Sequence, residues 1–342
     1  MLIVGGTRFL GHELAWRMLA AGHQLTLFNR GTREDAFGDR VERFRGDRRG
    51  PDFARLLAGR SFDAAVDFAA YDAVDGRQAA EVLDGRVGHY LAISSGQVYL
   101  VREGCRRPAR EVDYEGPLRA QPPDGPDRGE WEYGMGKRAL EEALEEAWQA
   151  RRFPATRLRL PMVNGPRDHF RRLECYLWRM LDDVEVLLPG GGDHRVRHVW
   201  SASVVAAILG LLGRRASFGE AYNLAQQETP TLRELLLMLG EALGAQVRLV
   251  AVEEDRLRSA GLDPLALSPF SGRWMSFLDP SRAQAELGFR HEPLASCLDK
   301  VVTSFLAHPA AEPPPGYERR AEERALAEAL RASAPAAART GG

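Results

Sequence analysis

The first twenty residues constrain the fold of this chain more than any other stretch. Residues 1–4 are apolar, residues 5–11 read Gly-Gly-Thr-Arg-Phe-Leu-Gly, and residues 13–20 have a helical pattern. A strand, a glycine turn and a helix start direct backbone N–H groups and the positive end of a helix dipole at one point, which suits the pyrophosphate of a dinucleotide. We expect the first glycine to form the turn and the last to let the helix pack on the strand. The predicted cofactor contacts here are Gly5, Thr7, Arg8, Phe9, Leu10 and Gly11.

This glycine pattern alone does not identify a nucleotide site. An ordinary turn between a strand and a helix gives a similar string, and Arg8 stands where the middle glycine of the usual pattern is expected. Its position directly after a strand favours the nucleotide interpretation.

The composition excludes several functional classes. The chain has 342 residues, of which 44% are hydrophobic and 27% charged, and its formal net charge is -2. This balance is typical of an ordinary soluble protein and gives no basic field for nucleic acid or an anionic membrane. No apolar run approaches the roughly 18 residues of a membrane span, and no charged leader precedes the first strand. We therefore expect a cytoplasmic protein with reduced cysteines, a small-molecule substrate, no membrane and no nucleic-acid partner.

Strand and helix patterns alternate through the first half of the chain. Strands are predicted at 24–28, 41–44, 62–68, 88–93 and 156–160, and helices at 52–58, 75–83 and 130–151. This alternation with apolar strands predicts an α/β fold with a Rossmann-type doubly wound parallel sheet, which binds ligands beyond the carboxyl ends of its strands. Residues 104–129 are rich in Arg, Pro and Gly and are predicted to form a surface loop.

The second half of the chain is less regular and predicts a smaller mixed lobe. Helices are expected at 175–181, 203–212 and 231–243, the last capped by Thr231 against Glu234, and a strand at 221–224. The predicted dinucleotide-binding domain is 1–163 with a return segment at about 196–225. The substrate lobe is 164–195 with 226–308, and 309–342 is a C-terminal tail with a terminal helix and no catalytic duty.

The residues that carry chemistry lie at the start of the longest predicted helix. Tyr133 and Lys137 are four residues apart, so they share one helix face. A nearby ammonium and a bound nicotinamide cation favour the phenolate of tyrosine, which lets it exchange a proton with a substrate hydroxyl. Ser95, at the end of the fifth predicted strand, could hold the same substrate oxygen. Tyr133 and Lys137 alone would be a chance helical pair, but Ser95 and the glycine turn favour a catalytic site.

Five motifs in order resemble the extended short-chain dehydrogenase/reductases, the NAD(P)-dependent epimerase/dehydratase family. They are residues 5–11, Asp67, Ser-Ser-Gly-Gln-Val-Tyr at 94–99, Tyr-Gly-Met-Gly-Lys at 133–137, and Arg-Leu-Pro-Met-Val-Asn-Gly-Pro at 159–166. The resemblance covers about residues 1–305 and is nearest to a bacterial subgroup with Gly-Gly-Thr-Arg-Phe. It implies a catalytic triad of Ser95, Tyr133 and Lys137, and a homodimer by analogy. It also implies cofactor contacts at Asp47, Ala69, Ala70 and Pro161, and substrate contacts at Gly96, Gln97, Asn164 and Arg195.

Two departures from the family pattern limit the choice of substrate. Nucleotide-sugar dehydratases of this family carry an Asp-Glu pair just after the catalytic Ser or Thr, where this sequence has Gly96 and Gln97. Without that pair, elimination of water lacks its acid and base. Arg8 at the middle glycine position is shared with the chloroplast stem-loop RNA-binding relatives as well as the bacterial subgroup.

The end of the second predicted strand favours NADP over NAD, although NAD stays open. NAD-selective folds place a carboxylate there for the ribose 2′-hydroxyl, whereas an arginine suits a 2′-phosphate. Here the strand ends Phe28-Asn29-Arg30, with the next acid at Glu34. Asn29 and Arg30 are therefore predicted cofactor contacts, and Arg8 and Arg30 could grip the phosphate together. Arg30 could instead be a solvated loop charge.

The remaining candidates are weaker. His194 and His198 are four residues apart but have no evident third ligand, so no metal site is predicted. Arg195 and Arg197 are candidates for a substrate phosphate or for an ordinary surface loop. Together the residues predict an NAD(P)-dependent oxidoreductase or epimerase that acts on a sugar-like, possibly nucleotide-sugar, substrate. The alternative is a non-catalytic RNA-binding or cofactor-sensing protein on the same fold.

Overall fold

The structure is a computed structural model that describes residues 1–182 and 185–333. The chain divides into two compact units. The first unit comprises residues 1–163, 197–227 and 274–292, and the second comprises the described parts of 164–196, 228–273 and 293–342.

The strands and helices have the following bounds, in chain order. The strands are β1 (Leu2–Val4), β2 (Leu25–Asn29), β3 (Val41–Arg45), β4 (Ala65–Asp67), β5 (Tyr90–Ser95), β6 (Ala155–Leu160), β7 (Val163–Asn164), β8 (Val186–Pro189), β9 (Val199–Trp200), β10 (Ala221–Asn223) and β11 (Leu249–Val252). The α-helices are α1 (Phe9–Ala20), α2 (Pro51–Leu57), α3 (Ala73–Leu83), α4 (Gln97–Leu100), α5 (Pro126–Arg151), α6 (Arg172–Leu181), α7 (Ser201–Leu211), α8 (Leu232–Leu243), α9 (Glu254–Ser259), α10 (Pro264–Leu267), α11 (Ser281–Leu287), α12 (Leu294–Ala307) and α13 (Arg320–Ser333).

A seven-stranded sheet forms the centre of the first unit. Its strand order is β10-β6-β5-β4-β1-β2-β3, and every neighbouring pair is parallel. The chain runs outwards from β1 in one direction and then, from β4, in the other, so the sheet reverses its order between β1 and β4. This topology confirms the predicted doubly wound α/β fold, and its reversal point lies beside the glycine turn.

The two faces of this sheet are covered by different helices. On one face, the cluster of Leu14, Met18, Val204 and Ile208 packs α1 and α7 against the strands. On the other, Phe53, Leu83, Leu140 and Leu144 bring α2, α3 and α5 into a second buried cluster. A sheet buried on both faces needs apolar residues at successive strand positions, which is why Leu2–Val4 is apolar throughout.

The long helix α5 starts earlier than the sequence pattern indicates. It begins at Pro126, four residues before the predicted start, and takes its first turn from the segment predicted to be loop. Proline is well suited to the first helical position, because the missing N–H would have no helical partner there. Leu140 and Leu144 lie on its buried face, as their spacing predicts.

The buried His89, which directly precedes β5, makes the folding stability of the first unit depend on pH. Burial lowers the pKa of His89 to about 4, and the Leu211 carbonyl only partly opposes this. Thr156 donates its hydroxyl hydrogen to the Ser217 carbonyl, so it accepts from His89 Nε2 at 2.8 Å, while His89 Nδ1 accepts from the Gly213 amide at 3.2 Å. Both ring nitrogens are thus satisfied in the neutral form.

This arrangement predicts a loss of stability between pH 6.5 and pH 4. In that window the unfolded chain binds a proton that the folded chain excludes, so stability is fully present above pH 6.5 and falls as the pH drops. The change is worth about 3 kcal/mol. We expect His89→Asn to remove most of the difference in unfolding free energy between pH 7 and pH 4.5, measured in urea. The exposed His23→Asn serves as control, and equal pH dependence of the two variants would exclude His89 as the cause.

Residues 274–292 belong to the first unit, whereas the sequence analysis assigns them to the substrate lobe. Leu278 forms a parallel bridge with Ala109, and the amide of Asp279 donates to the Ala109 carbonyl at 2.8 Å. Helix α11 follows and packs beside β10 and α7, with Ala283 in the core. The prediction was wrong because these contacts join residues that are about 170 positions apart.

The second unit combines a small sheet with several helices. Strands β8 and β11 pair in parallel, a sheet that the sequence pattern does not reveal. Thr231 and Glu234 form the predicted capping box at the start of α8. The terminal helix α13 is held by a fully buried ion pair between Arg179 of α6 and Glu323, at 2.6 Å. Residues 334–342 of the predicted tail lie outside the described residues.

The three cysteines, Cys105, Cys175 and Cys297, form no disulfide with one another. In the described part of the chain, no helix is long and apolar enough to cross a bilayer.

Candidate active site

The glycine turn has the geometry that a bound pyrophosphate requires. Gly5 and Gly6 both have positive φ angles, 83° and 78°, which side chains disfavour. An added Cβ on Gly11 would overlap the backbone of Gly6, so helix α1 approaches the turn as closely as the sequence analysis expects. Arg8 occupies the N-cap position of α1, and a guanidinium cannot accept hydrogen bonds from the helix amides. The side chain of Arg8 therefore does not cap the first turn of α1.

The predicted cofactor contacts at the end of β4 lie next to this turn. The space beside Gly5 is bounded by the Cβ atom of Ala69. The Ala69 amide donates to Asp67 at 2.8 Å, and the Ala70 carbonyl accepts from Lys137. The structure thus brings the glycine turn and the first residues after β4 together, as a dinucleotide groove at the sheet reversal requires. Pro161 is buried directly after β6.

A buried arginine shapes the loop that contains Asp47. Asp47 itself is exposed, and its carboxylate accepts from the Arg49 amide at 3.0 Å. The next residue, Arg48, is buried and donates to Asp67 at 2.7 Å and to the Asp75 carbonyl at 2.9 Å. The loop is thereby fixed to the ends of β4 and α3, which leaves Asp47 on the surface near the end of the strands.

The side chains of Asn29 and Arg45 meet at the ends of β2 and β3. Asn29 closes β2 and accepts from the Gly31 amide at 2.8 Å and from Arg45 at 3.2 Å. Arg45 pairs in register with Asn29 and covers Gly31, so that a Cβ there would overlap its side chain. Arg30 follows directly and is exposed. The sequence alone indicates Arg30 but not Arg45, because Arg45 reaches the end of β2 only through the pairing of β2 with β3.

Ser95, Tyr133 and Lys137 come together at the carboxyl end of β5. Lys137 is buried, with 3% exposed, and its ammonium donates to the Ala70 carbonyl at 2.6 Å and the Ile93 carbonyl at 2.9 Å. Tyr133 precedes it by one turn of α5, is 38% exposed, and lies near enough to Ser95 for the serine hydroxyl to affect its pKa. A reactive phenol, a hydroxyl and an ammonium therefore occupy one corner of the sheet.

The protonation of this cluster follows from its burial. Desolvation of the phenol raises the pKa of Tyr133 to about 12, with smaller contributions from Tyr71 and Glu130, while the Ser95 hydroxyl opposes the rise. Burial lowers the pKa of Lys137 to about 8, against the attraction of Asp67, Glu141 and Asp75. At neutral pH and in the absence of bound cofactor, the phenol is therefore protonated and the ammonium is charged.

The packing around Gly96 leaves no room for a carboxylate side chain directly after Ser95. Gly96 is buried against Ser276, and a Cβ at this position would overlap the Ser276 side chain. An acidic residue therefore cannot replace Gly96 without moving the 274–278 segment. Gln97 is also buried and donates its amide hydrogen to Glu130, one turn before Tyr133 on α5. A carboxylate is thus present near the phenol, but it comes from α5 and was missed by the sequence analysis.

The predicted substrate contacts Asn164 and Arg195 lie in the second unit. Asn164 is buried at the edge of a cavity of about 480 Å³, which is also lined by three arginines and a histidine, namely Arg167, Arg171, Arg172 and His308. Arg195 is exposed and donates to the Thr229 carbonyl at 2.8 Å, which ties it to the segment before α8. The two residues are therefore not part of one cluster, and the basic cavity was not predicted.

The geometry around His194 and His198 does not support a metal site. His194 contacts the Phe270 carbonyl at 2.9 Å, which occupies its Nε2 atom. Among residues 1–182 and 185–333, no group of three or more His, Cys, Asp or Glu side chains could hold a metal ion.

Residues 1–225 match the family model described as the NAD dependent epimerase/dehydratase family. The chain is 26% identical over 265 residues to the chloroplast stem-loop binding protein of 41 kDa b of Arabidopsis thaliana, covering 71% of this chain and 63% of that protein. It is 26% identical over 260 residues to the 2'-dehydrokanamycin reductase of Streptomyces kanamyceticus, covering 75% of this chain and 70% of the reductase.

A solved structure with a similar fold is the UDP-glucose 4-epimerase of Thermotoga maritima. The TM-score is 0.70 at 18% identity, and the alignment covers 90% of this chain and 98% of the epimerase. This likeness concerns the fold, whereas the family model covers about two thirds of the sequence. The chain belongs to the NAD dependent epimerase/dehydratase family.

Proposed function

We propose that the protein is an NAD(P)-dependent oxidoreductase or epimerase that acts on a sugar-like substrate, possibly a nucleotide sugar. The observation that carries this proposal is the convergence of Ser95, Tyr133 and Lys137 beside the glycine turn and the residues after β4. The nicotinamide would give or take the hydride at a carbinol carbon. Tyr133 exchanges the proton of the substrate oxygen, Ser95 orients that oxygen, and Lys137 supplies the positive charge.

Tyr133 is protonated at neutral pH in the chain without cofactor, which is the form of a general acid. A phenol with a pKa near 12 holds its proton at neutral pH and can give it to an oxygen that gains negative charge. Deprotonation of Tyr133, which oxidation of an alcohol needs, requires additional positive charge near the ring.

The rarity of lysine supports a specific role for Lys137. The chain contains 46 basic residues, of which only Lys137 and Lys300 are lysines. Nearly all the basic residues of this chain are arginines, but the buried cation at position 137 is a lysine, whose compact ammonium donates to two carbonyl oxygens. The larger, planar guanidinium of an arginine would not fit between these two oxygens.

We infer a preference for NADP from the charges at the ends of β2 and β3. Arg45 contacts Asn29 and Gly31, and Arg30 follows Asn29 directly, so two arginines lie at the end of the sheet where a ribose 2′-phosphate would be expected. Arginine pairs with phosphate through two hydrogen bonds, and such charged pairs are about twice as strong as neutral ones. The family is described as NAD dependent, so a comparison of NADPH and NADH binding tests the proposed preference for NADP.

Removal of these arginines is expected to weaken NADPH binding selectively. Arg30→Ala and Arg45→Ala should each raise the Kd of NADPH about tenfold and leave that of NADH unchanged, because a charge-assisted hydrogen bond contributes about 1.5–3 kcal/mol. Fluorescence titration measures both constants, with Arg17→Ala on α1 as control. A tenfold preference of the parent chain for NADH would overturn the assignment.

The basic cavity of the second unit has the chemistry of an anion site. Arg172 and Arg171 lie at the start of α6, and His308 faces them from the end of α12. Their positive charge is partly balanced by Asp168 and Glu174, so the cavity would accept a phosphate or carboxylate without a large excess of charge.

The experiment that tests the proposal combines cofactor analysis with a substrate panel. Acid release and chromatography of the purified chain show whether a nicotinamide nucleotide stays bound, as an epimerase requires, or exchanges, as a reductase requires. The chain is then assayed for NADPH consumption with keto-sugars and for interconversion of nucleotide-sugar epimers. Absence of both activities, together with no NADPH or NADH binding, would remove the proposal.

RNA binding is the second candidate, because one similar protein is a chloroplast stem-loop binding protein. The near-neutral charge of the chain gives little support to it, and the presence of Tyr133 and Lys137 favours an enzyme. Gel-shift titration with structured RNA at physiological salt separates the two, since sub-micromolar, salt-sensitive binding would favour the RNA function. The homodimer expected by analogy also remains a proposal, which light scattering can test.

A further inference from the structure

Helix α5 faces the end of β5 through side chains that are each four positions apart. Lys137 donates to the Ile93 carbonyl, and Glu141 accepts from Ser94 at 2.5 Å, while Tyr133 lies near enough to Ser95 for the serine to affect its pKa. A spacing of four places all three side chains on one face of the helix. Two hydrogen bonds thus attach α5 to the end of β5, next to Ser95.

Glu141 is the innermost of these three side chains. It is 1% exposed, and its carboxylate is held by Arg159 of β6, with contacts of 2.6 Å and 3.0 Å to one oxygen and 3.1 Å to the other. Arg159 also donates to the Tyr99 hydroxyl at 2.7 Å. The acid therefore joins α5 to both β5 and β6, and its charge is compensated within the core.

We propose that Glu141 is a positioning residue which, by holding Ser94, aligns Ser95 with Tyr133 and Lys137. This inference rests on the proposed function, in which these three residues carry out the proton transfer. Ser94 and Ser95 are adjacent, so a small displacement of one moves the other. A misplacement of about 1 Å can lower the rate about 100-fold, so a contact that holds Ser94, and with it Ser95, in place should have a measurable effect on kcat.

Glu141 also contributes to the electrostatic environment of Lys137. The charged groups that face Lys137 are Asp67 at the end of β4, Asp75 on α3, Glu141 on α5 and Arg48 in the loop before α2. The three carboxylates raise the pKa of Lys137 and Arg48 lowers it, while burial has the largest effect. Removal of the Glu141 charge should therefore lower the pKa of Lys137, whereas removal of the Ser94 hydroxyl should not.

The chain allows this effect to be measured without substrate, because it contains only two lysines. Labelling with [ε-13C]lysine gives two NMR signals, and Lys300→Arg assigns them. We expect the Lys137 signal of the ligand-free parent to titrate near pH 8, and that of Glu141→Gln to titrate at lower pH. We also expect Glu141→Gln to lower kcat tenfold or more, and Ser94→Ala to lower kcat several-fold with an unchanged Lys137 titration.

The controls separate the positioning role from simple destabilisation. Glu146→Gln makes the same change on an exposed turn of α5 and should match the parent in both measurements. If Glu141→Gln does not fold, the charge-balanced Glu141→Gln/Arg159→Gln variant takes its place. The positioning role is overturned if either Ser94→Ala or the folded Glu141 variant keeps the kcat of the parent, whatever the Lys137 titration shows. A chain without turnover but with the expected shift would refute the proposed function and leave the Glu141–Lys137 coupling intact.

Discussion

Tyr133→Phe is expected to abolish nearly all turnover while leaving the fold and cofactor binding in place. The substitution removes only the hydroxyl that exchanges a proton with the substrate oxygen, and general acid catalysis contributes about 10²–10⁴-fold. The ring is 38% exposed, so loss of the hydroxyl leaves no buried cavity. We expect kcat to fall by about that factor, with the Kd of NADPH within about twofold of the parent value.

The comparison that makes this result specific is another phenol. Tyr317 donates to Asp182 at 3.0 Å in the second unit, and Tyr317→Phe should keep the parent kcat. Equal rates for Tyr133→Phe and the parent would exclude Tyr133 as the acid. In that case Ser95 would be the remaining hydroxyl in the cluster to test.

The fold was predictable because its signals are local. The apolar strand Leu2–Val4, the glycine turn after it and the buried stripe of α5 can all be read from neighbouring residues. Boundaries were less certain, as the start of α5 shows. Gly125 and Pro126 mark that start and would have identified it, but the surrounding Pro and Gly residues favoured a loop.

The supporting residues of the site could not be predicted in the same way. Glu141 is one of four glutamates between 141 and 146, and only its burial and its partner Arg159 distinguish it from the solvated ones. Arg45 joins Asn29 through the register of β2 and β3, which is not visible in either strand alone. Long-range pairing decides the role of each of these residues, whereas Tyr133 and Lys137 are recognisable from their spacing.

The 274–292 segment shows the same limit at a larger scale. Its packing on Ala109 and Gly96 depends on a bridge between distant parts of the chain. Once this segment is in place, it fills the space beside Gly96, so that a side chain at this position would overlap Ser276. Position 96 is therefore a glycine because the side chain of Ser276 leaves no room there for a larger residue.

Lys137→Arg is expected to reduce kcat/KM about 100-fold, although it preserves the positive charge. The ammonium lies 2.6 Å from the Ala70 carbonyl and 2.9 Å from the Ile93 carbonyl, and only 3% of the residue is exposed. A guanidinium is planar and larger, so it cannot place one nitrogen between these two oxygens without displacing β5 or the residues after β4. A displacement of about 1 Å at the reacting groups accounts for the expected loss.

The pH dependence distinguishes loss of geometry from loss of charge. Since the pKa of Lys137 is about 8, the parent should lose activity as the ammonium deprotonates above that pH. Lys137→Arg stays charged throughout, so its residual activity should not decline in this range, whereas Lys137→Met should be weak at every pH. Lys300→Arg, the matched substitution at the only other lysine, should retain the parent rate and profile. An Lys137→Arg variant with the parent kcat/KM would show that any cation suffices, and that the two carbonyl contacts do not select lysine.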